Sequence, residues 1–198
     1  PIHPPKHNIP QHSDLPSDSP LKVIWNHRWE YDKGPEVLHA LITLCEKQAA
    51  PIHFTIAGNS FRNTPDPLKS LQSGGFKCVE HIGTFIEKKD YLKALGEHHV
   101  VLSTAHHEFQ GLAMLEGCSY GCVPLAPHDL AYPEWVPKTC LYQPSSDPKE
   151  QAESILGQLM HWQQYGLPLL PEVSNYFWPH LATEYYHKLL KIKEECRP

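Results

Sequence analysis

Apolar side chains recur along this chain in two alternating rhythms. Short, nearly continuous runs, Leu21-Lys22-Val23-Ile24-Trp25, Ile52 to Ala57 and Val100-Val101-Leu102-Ser103, read as strands buried on both faces. Between the first two, Val37, Leu38, Leu41, Ile42 and Leu44 follow helical spacing behind Pro35, and proline suits the first position of a helix. The same alternation predicts a helical stretch through Leu68 and Leu71 closed by Gly74-Gly75, a strand over Phe76 to His81, and a helix over Lys88 to Leu95. Farther on it predicts a helix from Gly111 to Tyr120, with Gly121 as its left-handed stop, then strands over Cys122 to Leu125 and Thr139 to Tyr142. Two C-terminal helices follow, near Pro148 to Tyr165 and Pro179 to Ile192.

Strands and helices alternating at this interval imply an α/β fold, a Rossmann-like doubly wound parallel sheet with right-handed connections. Ligands of such sheets bind beyond the carboxyl ends of the strands. That rule selects two loops. In the first, Asn26 to Gly34, Arg28 presents a planar fork suited to phosphate and Lys33 a flexible point charge, so together they could clamp a diphosphate. The alternative is a surface loop whose cations pair with Glu30, Asp32 or Glu36. In the second, Thr104 to Gln110, a buried strand runs into a polar loop and Gly111 opens a helix. Free amides and the helix dipole there form an anion site. Glu108 and Glu116 stand eight positions apart, about 12 Å along a helix at ~1.5 Å per residue and on nearly one face. Two carboxylates so placed can look into one crevice and grip hydroxyls at opposite ends of an elongated, polyhydroxylated ligand carrying phosphate in its middle.

Composition trims the possibilities. The 198 residues suffice for one to one and a third domains. Seventeen basic and 22 acidic side chains give a formal charge of −5, which disfavours nucleic-acid binding through a broad basic surface. No apolar run approaches the ~18 residues of a membrane span, so no membrane partner is expected. Six cysteines, Cys45, Cys78, Cys118, Cys122, Cys140 and Cys196, form no C-x-x-C pair and read as buried thiols of a reducing compartment, the cytosol or nucleus. Pro1 to Pro20, rich in proline with His3, His7 and His12, reads as an extended linker or solvated arm before a single domain from Leu21 to Pro198. Met114 and Met160 are the only methionines, and without an initiator the chain is expected to be a piece of something longer. A D-x-D pair, H-E-x-x-H, a phosphate-cradling glycine–lysine loop and G-x-G-x-x-G after the first strand are all missing, and adjacent His106 and His107 would face different ways, so no metal is expected.

Glu108 and Glu116 form an E-x7-E motif, and with Arg28 and Lys33 after the first strand the sequence resembles the retaining GT-B-type glycosyltransferases that use nucleotide-diphosphate sugars. The resemblance covers Leu21 to the C-terminus, the donor-binding C-terminal half of such an enzyme. The blocks Val23 to Lys33, His107-Glu108-Phe109-Gln110-Gly111 and Leu130-Ala131-Tyr132-Pro133-Glu134 are similar to a narrower branch that mannosylates queuosine in tRNA. The resemblance implies transfer of mannose from GDP-mannose to queuosine in a tRNA anticodon, with retention, without cofactor or metal, and with acceptor tRNA held in part by an N-terminal domain of the same protein. It further implies that Glu108 contacts the donor sugar's hydroxyls, Glu116 the ribose, the amides near Gly111 and Leu112 the distal phosphate, and the Gly83-Thr84-Phe85 loop the base. Gln110 stands where many members carry a small residue, and its role stays open. The last helix, with Tyr176, Phe177, Trp178, Tyr185 and Tyr186, would pack on the N-terminal half, or alternatively supply ordinary core packing for at least half of those side chains. A nucleotide-sugar epimerase, a sugar phosphorylase or a non-catalytic nucleotide-sugar binding domain are the competing functions; for a phosphorylase, Lys138 and Lys149 lack the supporting motif.

Overall fold

A computed structural model describes residues 2, 5, 19–60 and 63–195. Most of the proline-rich arm, with His3, His7 and His12, and also Arg62, Cys196 and Arg197 lie outside the described residues. Six parallel strands form one sheet, β1 Leu21–Trp25, β2 Ile52–Ala57, β3 Val79–Gly83, β4 Val100–Leu102, β5 Val123–Pro127 and β6 Leu141–Tyr142. Their spatial order is β3-β2-β1-β4-β5-β6, the doubly wound arrangement. β1 is central, with Val23 opposite Phe54 on one side and Val100 on the other, and all its side chains but that of Lys22 are apolar and buried. After β1 the chain moves outward through β2 and β3, then crosses back to lay β4 on the other flank. Strand order therefore reverses between β1 and β4, which brings the loops after these two strands side by side.

The helices are α1 Pro35–Gln48, α2 Asp66–Ser73, α3 Lys88–Glu97, α4 Leu112–Ser119, α5 Pro148–Tyr165 and α6 Trp178–Glu195. Helix α1 begins with Pro35 behind a left-handed Gly34 and packs against α5 and α2. Helix α4 lies tight on β4: a Cβ at Gly117 would fall 2.7 Å from the Cβ of Val101. Gly111 (φ 75°) precedes α4 and Gly121 (φ 99°) follows it, both left-handed.

The third strand departs from its predicted place. It starts at Val79, while Phe76 turns aside to set its ring edge-on to His39 of α1, 6.1 Å away. Phe76 is thus a cover for the helical layer, and a run of apolar residues could not distinguish that use from a strand. The fifth strand likewise begins one residue late and extends to Pro127, and a 3-10 turn over Lys138–Cys140 takes the first half of the predicted sixth strand, leaving Leu141 and Tyr142. The five described cysteines are buried and unpaired.

Helix α6 carries Trp178, Tyr185, Tyr186, Leu189, Leu190 and Ile192 exposed. Tyr176 and Phe177 pack against the core, so core packing accounts for two of the five aromatics and not for half of them. Ile2 is buried, forms a parallel bridge with Phe177 and accepts a hydrogen bond from the Trp178 amide at 3.0 Å. This one residue of the arm is therefore paired, against the expectation of an unstructured tail.

Candidate functional site

The loops after β1 and β4 fold as a single unit. The amides of His106 and His107 donate to the Asp32 carbonyl at 2.9 and 3.1 Å. Thr104 Oγ1 donates to the Lys33 carbonyl at 2.8 Å and accepts from the Trp25 indole at 2.9 Å. Gly34 makes the closest approach: a Cβ there would lie 2.0 Å from the Thr104 carbonyl oxygen. Below this seam Ser103 Oγ and the Tyr132 hydroxyl meet at 2.7 Å, and the Tyr142 hydroxyl donates to the Ser103 carbonyl at 3.0 Å. The side-chain hydroxyls of Ser103 and Thr104 and the Ser103 carbonyl are thereby satisfied, which fastens the start of the loop to its surroundings.

Lys33 closes the unit from inside. Its buried Nζ donates to the His107 carbonyl at 2.8 Å and pairs with Glu108 Oε2 at 3.3 Å and Asp32 Oδ2 at 3.1 Å. Glu108 Oε1 in turn accepts from the amides of Phe109 and Gln110 at 3.0 and 3.3 Å. Burial pushes the Glu108 pKa up, but the amides of Gly111 and Gln110 and the Lys33 charge outweigh it, and the carboxyl titrates below its ordinary value. The anion lodged ahead of α4 is therefore Glu108 itself. Arg28 is exposed and lies 3.9 Å from Asp32, while Glu36 pairs with His106. The cation-pairing alternative for the first loop is thus realised, with Arg28 and Lys33 both pairing with Asp32. His106 turns to Glu36 and His107 to the Phe109 ring, so the two histidines face different ways.

Beside this unit an open cleft of about 510 Å³ lies above the carboxyl ends of β1, β2 and β3. Arg28 and Asn26 border it from β1, Gly58 and Asn59 from β2, Thr84 and Phe85 from β3, Tyr91 from α3 and Glu116 from α4. The structure therefore gathers Arg28, Phe85 and Glu116 in one cleft and sets Lys33, Glu108, Gln110, Gly111 and Leu112 along its neighbouring loop, with Gln110 and Leu112 exposed. Phe85 stacks on His81 at 4.5 Å, presenting a flat apolar wall. Three lining residues carry more than the sequence indicated. Asn26 donates to Tyr91 and to the Ala113 carbonyl; Tyr91 donates to Glu116; and His27, buried, sits with its ring edge against Trp25. Burial, with the nearby Lys33 charge, lowers the His27 pKa to about 4, so the ring is neutral near pH 7. The signal for Tyr91 lay in its helical stripe with Ala94 and Leu95: a tyrosine turned toward a core needs a partner for its hydroxyl.

The doubly wound sheet superposes on solved structures of GT-B glycosyltransferases. The pneumococcal O-GlcNAc transferase, in complex with UDP and GlcNAc, matches with a TM-score of 0.64 at 16% identity over 98% of this chain and 39% of its own. The catalytic domain of the cholesterol-α-glucosyltransferase from Helicobacter pylori matches at 0.56 and 21% identity, over 75% of this chain and 92% of its own. In sequence the chain is similar to the tRNA-queuosine alpha-mannosyltransferase of Drosophila melanogaster, 41% identical over 128 residues, 64% of this chain. That alignment covers 33% of the fly protein, so the chain spans about a third of that relative's length. No family model matches the chain. No helix among the described residues is long and apolar enough to cross a membrane.

Proposed function

We propose that this chain is the donor-binding part of a retaining glycosyltransferase that moves mannose from GDP-mannose to queuosine in the anticodon of a tRNA, in the cytosol or nucleus. The observation that carries this proposal is the cleft above the carboxyl ends of β1, β2 and β3, where Arg28, Phe85 and Glu116 converge beside the Lys33–Glu108 pair. Phe85 offers the base a stacking surface, Glu116 accepts from ribose hydroxyls, and Arg28 swings from its loose pairing with Asp32 onto the diphosphate. Glu108, pinned with one edge to the amides and one to Lys33, aligns the sugar's hydroxyls at the start of α4, with Gly111, Leu112 and Gln110 at the phosphate and sugar end. As the glycosidic bond to the diphosphate breaks, negative charge grows on the leaving phosphate. Arg28, once swung onto the diphosphate, together with Lys33 and the N-terminus of α4 stabilises it, the task a metal performs elsewhere. The tRNA acceptor is held in part by an N-terminal domain of the same protein. The 41% identity to a protein named for this reaction supports the choice of sugar and acceptor.

The test has two stages. GDP and GDP-mannose are expected to raise the melting temperature of this chain and UDP to leave it unchanged; stabilisation by UDP alone would overturn the choice of base. In the protein that carries this chain, mannose is expected to pass from GDP-mannose to tRNA bearing queuosine and not to tRNA lacking it. Arg28→Ala is expected to slow that transfer more than it weakens donor binding, because the charge it meets is largest in the transition state. An epimerase would consume the donor without acceptor, and a binding module would do neither.

A further inference from the structure

Glu116 does not stand alone in the cleft. Three elements distant in sequence meet at its carboxylate: Asn26 after β1, Tyr91 on α3 and Glu116 on α4. Asn26 Nδ2 donates to the Ala113 carbonyl and to the Tyr91 hydroxyl oxygen, both at 3.0 Å. A carbonyl can only accept, so the amide orientation of Asn26 is determined: its NH2 faces Ala113 and Tyr91. With its oxygen already accepting, the Tyr91 hydroxyl directs its hydrogen to Glu116 Oε2, at 2.8 Å. Burial and the Glu116 charge push the phenol's pKa up, so it stays a donor throughout the working range. Among the described residues Glu116 Oε1 takes no hydrogen bond from a side chain, and it is left for a ligand.

We propose that Tyr91 is a positioning residue: its hydroxyl, oriented by Asn26, holds the Glu116 carboxylate in the rotamer that accepts hydrogen bonds from the ribose of a nucleoside diphosphate. The proposal rests on the nucleotide-donor function above and extends it to a residue that need not touch the ribose. A free glutamate on an exposed helix edge samples several rotamers and spends binding energy on becoming ordered; one fixed by a phenol has lost that freedom before the ligand arrives. With Oε2 held by the phenol, Oε1 is the oxygen of Glu116 turned to a ligand at that wall of the cleft.

The test measures binding of GDP and of 2′,3′-dideoxy-GDP to the 198-residue chain and its variants. Tyr91→Phe keeps the ring against Phe85, whose centroid is 6.1 Å away, and removes only the hydroxyl. It is expected to weaken GDP about tenfold, the worth of one hydrogen bond to a charged group, and to leave dideoxy-GDP within twofold of its wild-type affinity. Asn26→Ala is expected to give the same hydroxyl-dependent loss, and it carries the test if Tyr91→Phe unfolds. Glu116→Gln is expected to cost less in the Tyr91→Phe background than in the wild type, because the two side chains act as one unit. Equal weakening of both nucleotides by Tyr91→Phe would mean that Tyr91 serves packing or the base directly, and would overturn the proposal. A wild-type chain that binds both nucleotides equally would instead remove the ribose role of Glu116, and the positioning role falls with it.

Discussion

The two carboxylates of the E-x7-E motif occupy neighbourhoods built on opposite principles. Around Glu108 the chain has spent its own groups: a buried ammonium, two backbone amides and a seam between two loops leave the carboxylate little freedom. Around Glu116 one phenol holds one oxygen, and the rest of the side chain faces an open cleft. The first neighbourhood is part of the framework, and losing it disturbs the fold. The second is ligand-facing, and losing it disturbs binding. Low local commitment of protein groups is what leaves a site available.

Gly34→Ala should break the pinned side most severely. A left-handed φ of 63° and a Cβ 2.0 Å from the Thr104 carbonyl oxygen force the two loops apart. Strain and overpacking together predict a loss of about 4 kcal/mol in chemical denaturation, against a gain of about 0.5–1 kcal/mol for Gly157→Ala, which lies inside α5 with open surroundings. Next, Lys33→Met leaves Glu108 without its cation in a largely buried place and should cost about 3 kcal/mol. Glu116→Gln should stay within about 0.5 kcal/mol of wild type in the same denaturation series while GDP binding falls. If Lys33→Met and Glu116→Gln prove equally mild in stability, the contrast between the two neighbourhoods is wrong.

A pH titration sharpens the same contrast. His27 lies behind the pinned side with its pKa lowered from 6.5 to about 4, and burial lowers His98 in the same direction. Between those two values the unfolded chain binds a proton that the folded chain refuses, so stability is full above pH 6.5 and declines as the pH falls through the window. His27 alone accounts for about 2 kcal/mol between pH 6.5 and 5. His27→Gln, which retains a donor for the Leu102 carbonyl, should flatten that slope; an unchanged slope would place the titrating group elsewhere.

Local rules carried much of the architecture. α1, β2 and α5 lie where the apolar pattern and the bounding Pro35, Gly58 and Pro148 put them, because those features restrict φ and ψ or bury a face without reference to distant residues. They failed at Phe76, where an apolar run served the helical layer instead of the sheet, since which apolar surface a side chain covers depends on what arrives opposite it. The candidate site divides in the same way. Arg28, Lys33, Glu108 and Glu116 announced themselves by type and spacing, and Asn26 and Tyr91 did not, because an asparagine after a strand and a tyrosine in a helix are ordinary until they meet.

Sequence by itself determined the α/β alternation, the left-handed stop at Gly121 after α4 and the spacing that lets two glutamates belong to one motif. Only the tertiary structure decided that Lys33 would be consumed by Glu108 across 75 positions, and that Asn26 and Tyr91, 65 apart, would converge on Glu116. Periodicity and capping are properties of neighbouring backbone and are written locally. The choice of partner for a buried charge or hydroxyl is made when strands take their order in the sheet, by whichever arrangement satisfies the most polar groups while covering the most apolar surface.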